Sequence, residues 1–258
     1  MSGAEVTPSP VAPELADDGV VRLGMVALST DLTVEGDARR VLPECAALHV
    51  SRVAFKNPTT LENLRRMAPR LTEAADLLAP GVPLAAIAYA CTAASVTIGD
   101  AEVEAGIARA RSGVPVVTPP RAACEGFAAL GIRRIALVTP YLPETTAPMM
   151  GYFEARGLEV VTAHCLGLAD DREIARVTPG TIRAAALAAD GPGAEAIFLS
   201  CTALRAVPMI ADLEALTGKP VISSNQALLW RLLHHANLPP APGDWGRLFA
   251  ASPLERAA

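Results

Sequence analysis

Short apolar runs alternate with longer amphipathic segments along most of the chain. The runs at 21–28 and 134–139 are mainly apolar and have the length of buried strands. Between such runs, segments like 61–78 carry apolar residues at steps of three and four, which is typical of helices packed on a sheet. The pattern predicts strands at 21–28, 48–55, 84–90, 114–118, 134–139, 158–162, 194–200 and 219–222.

Capping and breaking residues place helices between these strands. Thr59 and Glu62 have the spacing of a capping box, and Thr178-Pro179 resembles an N-cap followed by the first helical residue. Strands that alternate with helices indicate βαβ units and a parallel sheet, so the predicted fold class is α/β. Helices are predicted at 59–80, 99–112, 119–131, 147–157, from 178 onward, and at 224–235.

An internal repeat runs through this pattern. Residues 86–93 and 196–203 both begin with Ala-Ile and end with Cys-Thr-Ala, and they lie 110 residues apart. Residues 22–28 and 134–140 echo each other at the similar spacing of 112. We therefore infer two related lobes, lobe one from residues 20–118 plus 223–258 and lobe two from residues 119–222.

Composition argues against several classes of function. A net charge of −5 does not suit a nucleic-acid surface, which needs clustered Lys and Arg. No run approaches the roughly 20 apolar residues of a membrane helix. Five cysteines without a CxxC pair, and only four histidines, predict free thiols in the cytoplasm rather than disulfides or a metal site. Residues 1–19 lack the pattern of a signal peptide and are predicted to be a disordered lead.

Cys91 and Cys201 hold the equivalent position in the two repeats, at the end of a predicted buried strand. Ligands of open parallel sheets bind at the carboxyl ends of strands, so we expect both thiols to face one cleft. The start of a following helix is expected to lower the thiol pKa from about 8.5. Backbone N–H groups in that first turn would bind a carboxylate. Substrate contacts are therefore predicted at Thr92, Ala93, Thr202 and Ala203.

Two opposed thiols allow two kinds of reaction. One thiolate can remove the α-proton of a carboxylic acid while the other thiol protonates the opposite face, which racemises the carbon without a cofactor. Alternatively, one cysteine adds to an activated double bond, and rotation followed by elimination exchanges cis for trans. A third alternative is a non-catalytic protein that binds a small molecule between the lobes.

Several motifs resemble those of the aspartate/glutamate racemase superfamily over nearly the whole chain after Val21. The chain is similar above all to the maleate cis-trans isomerase branch, in residues 136–141, 152–157 and 200–201. Within that branch it looks most like ectoine-utilisation proteins, in residues 29–33, 57–60, 143–146 and 223–226.

The resemblance implies two flavodoxin-like lobes with parallel sheets, related by a pseudo-twofold axis, with the active site between them. It also implies no metal, no pyridoxal phosphate or other cofactor, and a homodimer. Cys91 and Cys201 match the catalytic pair, and Tyr141 matches a tyrosine that hydrogen-bonds a substrate carboxylate. Retention of both cysteines argues against the decarboxylase branch, which keeps only the second.

Two acidic residues depart from the maleate isomerase pattern, which has asparagine where this chain has Asp31 and Asp171. An ionised aspartate only accepts hydrogen bonds and repels a carboxylate, so a maleate dianion is expected to fit poorly. The two acids instead suit a substrate with an ammonium or amide beside its carboxylate, such as an N-acetylated diamino acid from ectoine ring opening. The alternatives are that Asp31 caps the following segment and that Asp171 lies in a solvated loop.

The sequence thus predicts a cofactor-independent racemase or isomerase of a small amino-acid-derived carboxylate. Maleate-type cis-trans isomerisation and non-catalytic binding remain the alternatives. Cysteines outside the repeat and the His234-His235 pair are interpreted as structural or surface residues.

Overall fold

Two four-stranded parallel sheets form the centre of this computed structural model, in which residues 6–253 are described. The strands are β1 (Val21–Leu28), β2 (Ala46–Val53), β3 (Ile87–Ala90), β4 (Val116–Val117), β5 (Arg134–Thr139), β6 (Glu159–Cys165), β7 (Ala196–Leu199) and β8 (Val221–Ser223). Their order is β2-β1-β3-β4 in the first sheet and β6-β5-β7-β8 in the second. The second sheet therefore repeats the topology of the first, and the predicted α/β fold class is confirmed.

The central strands are apolar because helices cover both faces of each sheet. Apart from the first residues of β1 and β5, the strands β1, β3, β5 and β7 are buried along their whole length, as is usual for parallel sheets. The helices are α1 (Val34–Val41), α2 (Leu61–Arg65), α3 (Leu71–Asp76), α4 (Thr92–Ile98), α5 (Asp100–Ala108), α6 (Pro119–Ala129), α7 (Pro143–Glu154), α8 (Asp171–Ile174), α9 (Pro179–Ala189), α10 (Ile210–Thr217) and α11 (Ser224–Ala236).

The predicted helix at 59–80 is broken in the structure. Thr60, rather than Thr59, caps α2 by accepting a hydrogen bond from a backbone N–H at 3.3 Å. A single 3₁₀ turn over Ala68–Arg70 then separates α2 from α3. Pro69 lies in this turn, and proline lacks the N–H group that a continuous α-helix would need there.

Other helix ends follow the local signals in the sequence. Thr178 caps α9 ahead of Pro179, as predicted. Helix α11 begins with a capping box in which the Ser223 side chain accepts the Gln226 N–H and the Gln226 side chain accepts the Ser223 N–H. The first turn of α11 is therefore fixed by its own cap.

The segment after Pro239, for which the pattern predicts no element, folds back along α11. Trp245 Nε1 donates to the Ala241 carbonyl at 2.7 Å, and Gln226 Nε2 donates to the Trp245 carbonyl at 2.6 Å. Trp230 Nε1 on α11 donates to the Ala251 carbonyl at 3.0 Å. These bonds hold the helix whose first residues reach the carboxyl end of the second sheet.

The predicted division into a lead and two lobes stays a prediction. Residues 6–20 contain neither helix nor strand, and residues 6–19 are exposed, so the predicted disorder of the lead stays a prediction. Residues 1–5 of the lead and 254–258 of predicted lobe one lie outside the described residues. Within 6–253, none of the helices has the length and apolar character needed to cross a membrane.

Three phenylalanines join two helices to the second sheet. The Phe198 ring on β7 lies 5.9 Å from that of Phe127 on α6 and 5.3 Å from that of Phe153 on α7, both in edge-to-face contacts. All three side chains are fully buried. The cluster supports the strand that leads to Cys201.

Phe198→Ala is expected to lower the free energy of unfolding by about 3–5 kcal/mol, because it removes a buried ring and leaves a cavity. Leu187→Ala, at a 43% exposed position of α9, is the control and should cost less than about 1 kcal/mol. Urea denaturation followed by circular dichroism measures both. Equal losses for the two variants would contradict the central packing of Phe198.

Candidate active site

Cys91 lies between β3 and α4 and is the N-cap residue of that helix. Its backbone is extended, with φ −153° and ψ 109°. Its Sγ accepts a hydrogen bond from the Ala94 N–H at 3.4 Å, in the place where an N-cap oxygen usually accepts one. With the residue only 5% exposed, the thiol is held at a helix start and shielded from water.

Cys201 is reached from β7 through Ser200, and its backbone has a φ of +119°. Non-glycine residues rarely adopt such angles, which cost on the order of 1–3 kcal/mol. The helix predicted directly after Cys201 is wrong, because this angle turns the chain away from a helical path and α10 begins only at Ile210. The turn brings the Ala203 N–H to 3.3 Å from the Cys201 Sγ.

Neither thiol has the lowered pKa that the helix-start argument predicts. Burial raises the pKa of Cys91 well above its usual range, with the charges of Asp171 and Cys201 adding to the effect. Burial also raises the pKa of Cys201, again with Asp171, while the nearby Tyr141 hydroxyl opposes the shift. Desolvation thus outweighs the local N–H dipoles, and both thiols are neutral at pH 7.

Tyr141 follows β5, and its hydroxyl lies near enough to the Cys201 sulfur to lower the pKa of that thiol. The side chain is 2% exposed. Burial, followed by the charges of Cys201 and Cys91, raises the pKa of Tyr141 well above its usual range. A phenol that stays protonated can donate to a thiolate, so Tyr141 is placed to stabilise the ionised form of Cys201. Its predicted contact with a substrate carboxylate stays a prediction.

Asp31 lies near both thiols, at the carboxyl end of β1. Its Oδ1 accepts the N–H groups of Thr33 and Val34 at 2.7 and 2.8 Å, which holds the start of α1. Burial raises the pKa of Asp31, and its own charge contributes to the raised pKa of Cys91 and of Cys201. Asp31 therefore both caps the start of α1 and lies near the two thiols.

Asp171 is the first residue of α8 and is 5% exposed. Its Oδ2 accepts the Thr30 hydroxyl at 2.8 Å. Burial raises the pKa of Asp171 to about 6, with the Thr30 bond opposing and the charge of Asp31 adding to the shift. The alternative of a solvated loop is wrong for Asp171, although the neighbouring Arg172 and Glu173 are exposed.

The threonines that follow the two cysteines connect one half of the structure to the other. Thr92 Oγ1 donates to Ser224 Oγ at 2.7 Å. Thr202 Oγ1 lies 3.1 Å from the Ala90 carbonyl, to which it donates. The cysteine loops are thus tied across the boundary between the sheets.

The backbone N–H groups predicted to bind a carboxylate are partly used by the thiols. Ala94 and Ala203 donate theirs to the sulfur atoms of Cys91 and Cys201. Ala93 and Ala203 are buried, at 2% and 1% exposed. A substrate oxyanion at these positions would share its donors with a cysteine sulfur.

Asp37 and Asn225 belong to the site although sequence analysis did not single them out as site residues. Asn225 Nδ2 donates to Asp37 Oδ2 and to the Thr202 carbonyl, both at 2.8 Å. Burial raises the pKa of Asp37 to about 6, and the charge of Asp31 adds to this. Asn225 lies in a motif that carries the family resemblance, whereas Asp37 on an amphipathic helix gives no such signal.

Asn57 and Thr30 fix the loop that carries Asp171. Asn57 Oδ1 accepts the Asp171 N–H at 3.1 Å, and its Nδ2 donates to Asp170 Oδ1 at 3.0 Å. Both residues lie in motifs that carry the family resemblance, and those motifs are the sequence signal by which the two residues could have been found. Among residues 6–253, no group of three or more His, Cys, Asp and Glu side chains is arranged to hold a metal ion.

Two matching α/β sheets, each contributing a cysteine loop to one buried site, define an aspartate/glutamate racemase-like fold. A model of the arylmalonate decarboxylase family matches residues 24–249, which is most of the chain. The chain belongs to this family.

Maleate isomerases are among its relatives. The enzyme of Nocardia farcinica (strain IFM 10152) is 30% identical over 245 residues, which cover 89% of this chain and 96% of that protein. One similar solved structure is a cysteine-to-serine mutant of the Nocardia farcinica maleate cis-trans isomerase with a covalently bound succinylcysteine intermediate. It superposes on this chain with a TM-score of 0.81 at 27% sequence identity, and the match covers 90% of this chain and 98% of that one. A liganded double mutant of arylmalonate decarboxylase gives 0.81 at 26% identity, covering 89% and 99%.

These relatives bear on the sequence-based predictions. The resemblance to the superfamily and to its maleate isomerase branch is confirmed. The prediction of an enzyme of the isomerase class is confirmed as well, which removes support from the non-catalytic alternative.

Asp171→Asn is expected to stabilise the protein at pH 8 but not at pH 4. The folded protein keeps a proton on Asp171 up to a pKa of about 6, whereas the unfolded chain releases it near pH 4, so the wild type loses stability as the pH rises through that window. Asparagine carries no charge and can still accept from Thr30. Urea denaturation should show a gain of about 1–2 kcal/mol at pH 8. A difference that does not change with pH would contradict a buried, titrating carboxyl.

Proposed function

We propose that this enzyme is a cofactor-independent isomerase of a small amino-acid-derived carboxylate, with Cys91 and Cys201 as its acid/base pair. The observation that carries the proposal is that both thiols and two buried carboxyls, Asp31 and Asp171, interact within one site. A thiol on each half of a two-sheet enzyme supports proton transfer on opposite faces of one carbon.

In the proposed reaction, both thiols are neutral in the free enzyme, and one of them loses its proton to solvent when the substrate binds, so that it enters the cycle as a thiolate and the other as a thiol. The thiolate takes the α-proton of the substrate, and the electron pair of the C–H bond moves onto the carboxylate as an enediolate. The second thiol then gives its proton to the opposite face, so the configuration inverts and the two sulfurs exchange protonation states. Tyr141, whose hydroxyl lies near the Cys201 sulfur, stabilises the thiolate when Cys201 is the ionised partner.

The buried acids support a substrate that carries an ammonium or amide group beside its carboxylate. Asp31 and Asp171 each raise the pKa of both thiols, which shows how unfavourable further negative charge is in this site. A cationic group would pair with Asp171 and lower the cost of forming a thiolate. An N-acetylated diamino acid from ectoine ring opening has this chemistry, and the resemblance to ectoine-utilisation proteins supports it as the substrate class.

Maleate-type cis-trans isomerisation is the second candidate. It is favoured by the Nocardia farcinica relative that holds a succinylcysteine intermediate. In this reaction a cysteine thiolate adds to the double bond and the resulting carbanion takes a proton from the other thiol. Rotation about the new single bond, return of that proton and elimination of the thiolate then give the trans product.

We propose further that the enzyme acts in the cytoplasm as a homodimer. The five cysteines are free, as expected in a reducing compartment. The dimer rests on the family resemblance alone.

Cys91→Ser and Cys201→Ser are each expected to lower kcat by at least about 10³-fold, because the serine hydroxyl is a far weaker acid than the cysteine thiol and hardly ionises at neutral pH. Cys45→Ser, at an exposed thiol, is the control and should keep kcat within about twofold. Deuterium incorporation at the α-carbon in heavy water, over a panel of amino-acid-derived acids, measures proton abstraction. Isomerisation of a double bond without α-exchange would favour the second candidate, and full activity of either serine variant would contradict both.

The Asp31→Asn/Asp171→Asn double variant is expected to bind maleate at least about tenfold more tightly than the wild type. The amides remove two negative charges and supply donors to a carboxylate, while each keeps an oxygen that can accept the present bonds. Isothermal titration with maleate and with diaminobutyrate derivatives measures both preferences. Tight maleate binding by the wild type would remove the argument for a cationic substrate.

A further inference from the structure

Ser224 occupies the point where the two cysteine loops meet. It is the first residue of α11, directly after β8, and is completely buried. Its Oγ accepts the Thr92 hydroxyl at 2.7 Å and the Cys201 N–H at 2.9 Å. One oxygen atom therefore bonds both to the residue after Cys91 and to Cys201 itself.

The two cysteines depend on this oxygen to different degrees. The Cys91 N–H donates to the carbonyl of Tyr89 in the preceding strand β3 at 3.0 Å, and the backbone of Cys91 is ordinary extended chain. The Cys201 N–H instead donates to α11, and Cys201 has a φ of +119°. A backbone conformation this rare persists only when surrounding contacts stabilise it, and the hydrogen bond to Ser224 is made by the N–H group of Cys201 itself.

The hydroxyl of Ser224 is not needed to start the helix. Ser223 is the N-cap residue of α11, and its reciprocal bonds with Gln226 complete the capping box. Ser224 thus stands one residue beyond the cap, with its oxygen directed at the cysteine loops. Ser224 therefore has a different role from Ser223, and a substitution of Ser223 is a matched control.

We propose that Ser224 is a positioning residue that fixes the Cys201 thiol relative to Cys91. The consequence for catalysis rests on the proposed function, whereas the consequence for thiol geometry does not. Ser224→Ala removes the shared acceptor and leaves two buried donors unpaired. Cys201 then leaves its present orientation, while Cys91, held by its own helix, stays in place.

The test compares Ser224→Ala with Ser223→Ala, which weakens the same helix start without touching either cysteine loop. Iodoacetamide labelling of each thiol is followed by mass spectrometry. In Ser224→Ala, the labelling rate of Cys201 should differ from that of the wild type by at least about fivefold, and the rate of Cys91 by less than about twofold. With an active substrate, kcat should fall at least about tenfold while KM changes less than about threefold. Ser223→Ala should lower Tm but leave labelling and kcat near wild type.

A second pair of variants covers the case in which Ser224→Ala does not fold. Thr92→Val removes one of the two bonds to Ser224, and Thr92→Ser restores it. Cys201 labelling should shift in the valine variant and return in the serine variant. Unchanged Cys201 labelling in the folded variants, equal shifts at both thiols, or the same pattern in Ser223→Ala would overturn the proposal. Labelling needs no substrate, so a failure of the proposed isomerisation would not be confused with a failure of positioning.

Discussion

Placing a charge in a water-poor site costs free energy, and this cost governs the chemistry of the four acidic groups around the two cysteine loops. Cys91, Cys201, Asp31 and Asp171 share that site, and burial is the largest cause of the raised pKa of each. Each negative charge then makes the next less favourable. The protons in the site are therefore coupled, and a bound substrate that neutralises one carboxylate changes the acidity of both thiols.

Bonds that cross between the halves of the structure hold the two cysteine loops together. Thr202 donates to the Ala90 carbonyl, and Thr33 Oγ1 donates to the Ala203 carbonyl at 2.8 Å. Farther out, the Thr59 N–H donates to the Ala169 carbonyl at 2.7 Å, next to the Asn57 contacts with the Asp171 loop. The buried thiols are thus enclosed by loops from both halves of the structure.

Local pattern was sufficient to predict the strands and the position of Cys91 and Cys201 just after strand ends, because buried strands are apolar and the repeat preserves strand ends. It failed where distant parts of the chain decide the outcome. Pro69 breaks a helix whose apolar spacing continues through it. The pKa of Cys91 follows burial by the whole fold, and the bond from Asn225 to Asp37 joins residues at opposite ends of the chain. Neither property is present in a sequence window around the residue.

The two copies of the repeat are similar in sequence, but the local structures around Cys91 and Cys201 differ, and this difference has a physical origin. Cys91 caps a regular helix whose N–H groups support its sulfur, so its geometry is set within a few residues. Cys201 begins a tight turn and relies on Tyr141 and α11 for its partners. In the proposed reaction the two thiols act on one substrate from opposite sides and need not be equally acidic, so the difference in their support would give each half-reaction its own barrier. The repeated topology thus places one cysteine after β3 and one after β7, and the different bonds around Cys91 and Cys201 make the two thiols distinct.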